Sequence, residues 1–411
     1  MRKLLITLAI TAVGVPALAQ DVPNLEALWE IIQQQQAEIN NLKSRLLNTS
    51  ESLEETNERI DDAEEMVVAT SDYIEEIDIS YLQRDLTIGG YGEAHYNNLS
   101  AHDPVRDLEK VDFHRFVLFF GHEFNERVSF FSELEIEHSL AGEGKPGEVE
   151  IEQAYLNFSI NDNLAAQGGL FLLPVGILNE THEPSTFYGV ERNDVENIIL
   201  PSTWWEAGGA LSGNFSNGLS WNAAVHSGLA IPTTGGSAFR VRSGRQKAAE
   251  ALASNFASTF RLKYTGIPGF EVSASYQYQS DASQVSGDGL DAGNLFTAHA
   301  IYQRDRFLLR ALYGKWSFDG FAVEAAGADH QSGWYVEPSF RLTPNWGFYT
   351  RYEDVEGART QDVFTQWEAG LNYWPTDGVT LKLDYRTRDY SLTAADGRDF
   401  NGIDLGIGYQ F

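Results

Sequence analysis

From Leu86 to the end of the chain, apolar and polar side chains trade places residue by residue. The last segment shows it most cleanly. Ile403, Leu405, Ile407, Tyr409 and Phe411 alternate with Gly402, Asp404, Gly406, Gly408 and Gln410, the period of a strand with one apolar and one polar or small face. Sixteen candidate strands follow this rule: 86–97, 110–124, 126–139, 147–161, 163–173, 203–213, 218–227, 254–264, 269–279, 292–302, 305–316, 331–342, 345–353, 363–374, 377–389 and 399–411. The gaps between them alternate long and short. Short gaps hold turn residues, such as Asn161-Asp162-Asn163 and Thr343-Pro344-Asn345, and the longest gap spans 174–202.

Short turns at one rim and long loops at the other are what an up-and-down membrane barrel requires. The faces agree. In 377–389, Val379, Leu381, Leu383 and Tyr385 oppose Lys382, Asp384, Arg386 and Arg388. A face so charged would be costly as a dry core and costs little against a water-filled lumen. Closure also leaves no unpaired edge in lipid. The sequence therefore predicts an all-β transmembrane barrel of about sixteen antiparallel strands over 86–411. The competing reading of the last segment is an edge strand of a large soluble all-β protein.

Ahead of the barrel the period changes to seven. Leu25, Ile32, Ile39, Leu46, Leu53, Ile60, Val67 and Ile74 recur without a gap, an a/d seam that predicts an α-helical coiled coil. A stalk over 20–80 is expected on the periplasmic side, where an even strand count places both ends of the barrel. At about 1.5 Å per residue it would reach roughly 80 Å. Residues 1–19, with Arg2-Lys3, an apolar run and Ala17-Leu18-Ala19, read as a secretory signal peptide.

Composition narrows the function. A formal net charge of −30 excludes nucleic acid as a partner. Cysteine is absent, so thiolate metal sites and disulfides are excluded. The 12% aromatic content suits interfacial girdles. The nine His residues show no i, i+4 metal spacing, and nothing calls for a cofactor, a metal or an enzyme. Glu133, Glu135 and Glu137 share one face, read as lumen lining ahead of a divalent-ion site.

Several stretches resemble the phosphate-selective porin O and P family: Ile88-Gly89-Gly90-Tyr91-Gly92-Glu93, Glu152-Gln153-Ala154-Tyr155-Leu156, and Gln167 through Glu206, which includes Leu178-Asn179-Glu180-Thr181-His182-Glu183-Pro184. The resemblance implies sixteen strands, three chains per assembly, and the third long loop folded into the lumen. A strand ending on an aromatic, Phe411, also resembles the signal read by the barrel-assembly machinery.

Loop 174–202 carries Glu180, His182, Glu183, Glu191, Arg192, Asp194 and Glu196, the expected constriction. Expected basic lining is Arg115, Arg261, Lys263, Arg306, Arg310, Arg341, Arg351, Lys382, Arg386 and Arg388. Against it stand Glu93, Glu133, Glu135, Glu271, Glu337, Glu353, Glu368, Asp384 and Asp404. A second basic cluster, Arg240, Arg242, Arg245 and Lys247, lies in the fourth long loop. Interleaved signs favour a channel for small hydrophilic solutes and ions in the bacterial outer membrane. The alternatives are a phosphate- or anion-selective channel, and a structural tether from membrane to peptidoglycan through the coiled coil.

Overall fold

A strand with an apolar outer face can satisfy its backbone only by pairing on both sides, and here every strand does. In a computed structural model sixteen antiparallel strands follow one another round a closed barrel. They are β1 (Leu86–Ala101), β2 (Leu108–Asn125), β3 (Val128–Glu137), β4 (Val149–Asn161), β5 (Leu164–Leu172), β6 (Trp205–Asn214), β7 (Leu219–His226) and β8 (Ala257–Ile267). The circuit continues through β9 (Phe270–Gln279), β10 (Gly293–Arg304), β11 (Phe307–Phe318), β12 (His330–Arg341), β13 (Trp346–Glu356), β14 (Val363–Tyr373), β15 (Val379–Asp389) and β16 (Phe400–Gln410). The seam pairs β1 with β16 from Tyr91↔Gln410 to Ala101↔Phe400. Beyond it, Gly90 and Phe411 exchange backbone hydrogen bonds of 3.0 and 2.9 Å.

The structure describes Trp29, Gln33, residues 35–46, 86–390 and 397–411. The expected signal peptide and most of the expected stalk lie outside the described residues. The chain divides into two units, Met1–Ser80 and Tyr81–Phe411. Within the first, residues 35–46 are helical, and the seam residues Ile39, Leu42 and Leu46 are exposed.

Two elements depart from the expected pattern. β1 and β2 run past the expected strand ends, to Ala101 and back to Leu108, because β16 offers the rim of β1 partners as far as Ala101. Their connection shrinks to little more than a turn. Apart from irregularities beside the short turns, two bulges interrupt the wall away from its turns, one placing His114 between the paired Phe113 and Arg115, the other placing Glu152 between the paired Ile151 and Gln153. An extra residue of this kind redirects side chains locally.

The two faces separate along each strand. In β15, Leu383 is 42% exposed and its neighbour Asp384 is 1% exposed; in β16, Leu405 is 42% exposed and Asp404 is fully buried. Outer aromatics gather toward both rims, with Trp346 against Tyr373 at 4.5 Å near the short turns and Trp334, Tyr352 and Trp367 higher on the wall. The apolar core is inside the barrel. It joins the long loops to inner side chains such as Trp316, Tyr335 and Phe364.

An outer band of this kind is built for hydrocarbon. Leu383→Arg is expected to cost about 2–4 kcal/mol of folding stability in lipid bilayers, read from denaturant titration of vesicle-folded protein. An unchanged midpoint would show that this face does not meet lipid.

Candidate channel lining and inward loop

The connection between β5 and β6 leaves the wall at Leu173 and returns at Trp204. Its neck is tied by Asn179, whose amide donates to the Leu173 and Trp204 carbonyls at 2.7 and 3.0 Å and whose oxygen accepts from Trp204 N–H at 2.6 Å. Glu196 fixes the next turn by accepting from Ile177 and Leu178 N–H at 2.5 and 2.7 Å and from the Tyr335 hydroxyl at 3.1 Å. Val195, Ile199 and Leu200 pack into the inner apolar cluster. They approach the wall where Gly314 and Gly333 leave room: a Cβ on Gly333 would lie 3.2 Å from both Val195 and Ile199.

The far arm of the loop crosses to the closing strands. Pro184 sits over Gly408 and Val190 over Gly406 of β16. Ser185 donates to Gln410 at 2.7 Å, and Lys382 donates to the Gly189 carbonyl at 2.7 Å. Val190 N–H donates to Asp384. Arg310 donates to the Thr186 carbonyl at 2.7 Å, and Asp194 N–H donates to Glu353 at 2.7 Å. Lumen-facing side chains of the wall thus satisfy the loop's backbone.

The charged inner face is mostly paired with itself. Arg351, fully buried, reaches Glu337, Glu353 and Glu368 at 3.0, 2.9 and 2.7 Å. Arg386 pairs with Asp404 at 2.5 Å, and Arg388 pairs with Asp194 of the loop. Arg115 meets Glu93 at 2.7 Å and Glu135 at 3.5 Å. Arg261 pairs with Glu180, and Glu271 takes His299 at 3.0 Å. Lys263 is half-buried in β8. In the loop, Glu191 accepts from Asn97 at 3.0 Å and lies 3.2 Å from His95. Burial works to raise its carboxyl, but the His95 hydrogen bond and nearby Arg386 outweigh it and hold the group well below the usual carboxylate range. Glu183 is half-buried, and its carbonyl accepts from the Thr186 hydroxyl at 2.8 Å.

Three placements correct the sequence reading. Arg306 and Arg341 stand at the short-turn rim, bonded to the Leu342 and Pro344 carbonyls at 2.8 and 2.9 Å; they cap turns. Glu196 is fully buried and holds backbone, so it does not line the bore. Two groups of His and carboxylates come close enough to share an ion, Asp112 with His114 and His138, and Glu133 with Glu152 and His182. Linear spacing hides both, since each group is assembled across strands. Asn179, Glu152, His95 and Asn97 were also missed as site residues; only the resemblance to family motifs marked the first two.

A cavity of about 380 Å³ remains between the loop and the wall of β1, β2 and β15. Glu93, His95, Arg115, Glu191, Arg192, Asp194, Arg242, Arg386 and Arg388 line it. A closed barrel, apolar outside and charged inside, with a loop laid across its polar bore, defines an outer-membrane channel. The chain belongs to the phosphate-selective porin O and P family, whose profile matches residues 87–411. An uncharacterized protein of Aquifex aeolicus (strain VF5) is 29% identical over 344 residues, spanning 75% of this chain and 77% of its own. Among solved structures, an anion-selective porin from Comamonas acidovorans shares the fold at TM-score 0.55 and 12% identity, covering 79% of this chain and 99% of that one. The trimer form of in-vitro folded OmpT, an outer membrane protein of Vibrio cholerae, does so at TM-score 0.52 and 10% identity, covering 80% and 100%.

Arg351 is the cation that reaches all three buried carboxylates, while Arg310 stands 3.7 Å from Glu337 alone, so removing Arg351 leaves Glu353 and Glu368 without a charge-paired partner in the cluster. Arg351→Met should destabilise the barrel by about 3–5 kcal/mol, measured by urea unfolding in detergent. A loss below about 1 kcal/mol would mean that the cluster is hydrated and independent of its arginine.

Proposed function

We propose that the protein is a general diffusion porin, passing small hydrophilic solutes and ions through a bore narrowed by loop 174–202. The pairing of the wall charges carries this reading. A ladder of free cations would attract anions along its length, whereas Arg115, Arg351, Arg386 and Arg388 each face a carboxylate within a salt bridge. Paired charges give a path that is polar but close to neutral. Filter side chains set selectivity at close range, and here most of them cancel.

One observation favours an anion-preferring constriction as the second reading. Arg192 and Arg242 donate only to backbone carbonyls, of His182 at 3.4 Å, and of Asn197 and Ser202 at 3.4 and 2.5 Å. Neither pairs with a carboxylate among the described residues. Arg242 opens on the lumen, yet the protein packed around it and then the neighbouring Arg245 and Arg192 pull its guanidinium down from its ordinary value. A bound anion would relieve that strain of like charges.

Assembly as a homotrimer is part of the proposal. The exposed Ile39, Leu42 and Leu46 on one helical stretch fit the heptad seam of a parallel stalk. Periplasmic placement of that stalk is part of the same proposal, and the barrel ends lying at the short-turn rim support it.

Reversal potentials in a KCl gradient across planar bilayers separate the two readings. Replacing Arg386 and Arg388 together by Gln leaves Asp404 and Asp194 unpaired and should shift the channel toward cations. Replacing Arg192 and Arg242 by Gln should change the reversal potential little for a general porin and abolish anion preference for a selective one. Protein lacking residues 20–80 is expected to conduct as single channels of unchanged size. No channel activity from the intact chain would sink the proposal as a whole.

A further inference from the structure

Three side chains meet where the inward loop touches the wall: Glu133 of β3, Glu152 of β4 and His182 of the loop. All three are at least 98% buried. His182 Nε2 stands 3.4 Å from Glu133 Oε1 and 3.4 Å from Glu152 Oε2. None of these three atoms makes a hydrogen bond. Three orphaned polar atoms facing one another in a dry pocket are expensive. Something that accepts lone pairs from all three would remove the cost.

The opposite end of each side chain is anchored. Gln153 donates to Glu133 Oε2 at 2.7 Å, and the Thr203 hydroxyl donates to Glu152 Oε1 at 2.7 Å. His182 Nδ1 lies 3.3 Å from the Asn179 carbonyl, which holds that nitrogen as the N–H; Nε2, facing the two carboxylates, then carries either a proton shared between them or the lone pair that a metal ion would take. Ligands to a metal ion are oriented by such outer hydrogen bonds. The β4 bulge makes the arrangement possible. It lets the consecutive Glu152 and Gln153 serve the same inner pocket, one as a facing carboxylate and one as the anchor of Glu133.

We propose that Glu133, Glu152 and His182 bind a divalent transition-metal ion of the zinc class, fastening the inward loop to β3 and β4. The spacing fits. Atoms about 2.0–2.2 Å from a tetrahedral ion stand about 3.3–3.6 Å apart. One imidazole and two carboxylates suit zinc and its neighbours, and the lack of thiolate disfavours softer ions. Three protein ligands leave a fourth position for water. The half-exposed Asp112, His114 and His138 differ in kind: their hydrogen bond of 2.7 Å is made within the group. The proposal does not rest on what the channel passes, because its readouts are binding and ligand type.

The test uses the full chain, folded in detergent, stripped with EDTA and titrated with Zn²⁺ against a chromogenic chelator. One ion per chain at micromolar or tighter dissociation constant is expected. Binding should weaken by about tenfold to a hundredfold or more in Glu152→Gln and in His182→Gln, and should persist in His138→Gln, which disables the other cluster. Heat-modifiable migration on gels checks that each variant is a closed barrel. X-ray absorption at the zinc edge of the unaltered protein serves where a variant fails to fold: a shell with a single imidazole and oxygens supports the site. A shell of oxygens alone, one with two imidazoles, or no uptake of micromolar zinc overturns it, as does binding that survives both substitutions.

Discussion

Backbone that passes through hydrocarbon has no water to turn to, so each strand needs a partner on both sides. The seam between β1 and β16, with eleven paired positions, closes the ladder and fixes everything else. Once closed, a sheet sends alternate side chains to opposite faces. The outward half is chosen for lipid. The inward half inherits whatever chemistry remains, and in this protein that is a dense set of carboxylates and guanidiniums.

Those inward charges are tolerable because they are arranged in groups. Glu337, Glu353 and Glu368 come from β12, β13 and β14 and converge on a single guanidinium. Glu353 spends its second oxygen on the loop's backbone. The wall and the loop therefore satisfy each other's polar groups, and the loop needs no hydrogen-bonded ladder of its own. Its apolar side packs where inner glycines lower the wall, and its polar side takes up the wall's charges. Arg192 and Arg242, which pair with no carboxylate among the described residues and donate to backbone carbonyls instead, both lie at the loop level, so a general path and a locally basic constriction would be compatible in such a design.

The sequence made the barrel legible because period two is a local property. Every expected strand has its counterpart in the structure, with ends displaced by a few residues, as at Ala101 and Leu108, where pairing with a distant strand extends the wall. Which face a side chain takes was equally readable, as in Leu383 beside Asp384. Partnership was not. Arg386 and Asp404 are neighbours because β15 and β16 pair in one register, but Arg388 meets Asp194 from nearly two hundred residues away. Arg306 and Arg341 looked like lining because they fall in step with the polar face; their positions at strand ends send them to turn carbonyls. The pocket of Glu133, Glu152 and His182 escaped because a bulge breaks the alternation on which the reading depends.

The seating of the loop on β16 bears on the order in which the molecule is made. Pro184, Ser185 and Val190 rest on Gly408, Gln410 and Gly406 of β16, more than two hundred positions further along the chain. Until the final strand arrives, the crossing arm has no surface to lie on, and contacts separated this widely are slow to form. The aperture is accordingly a late product of maturation: circumference first, gauge afterwards.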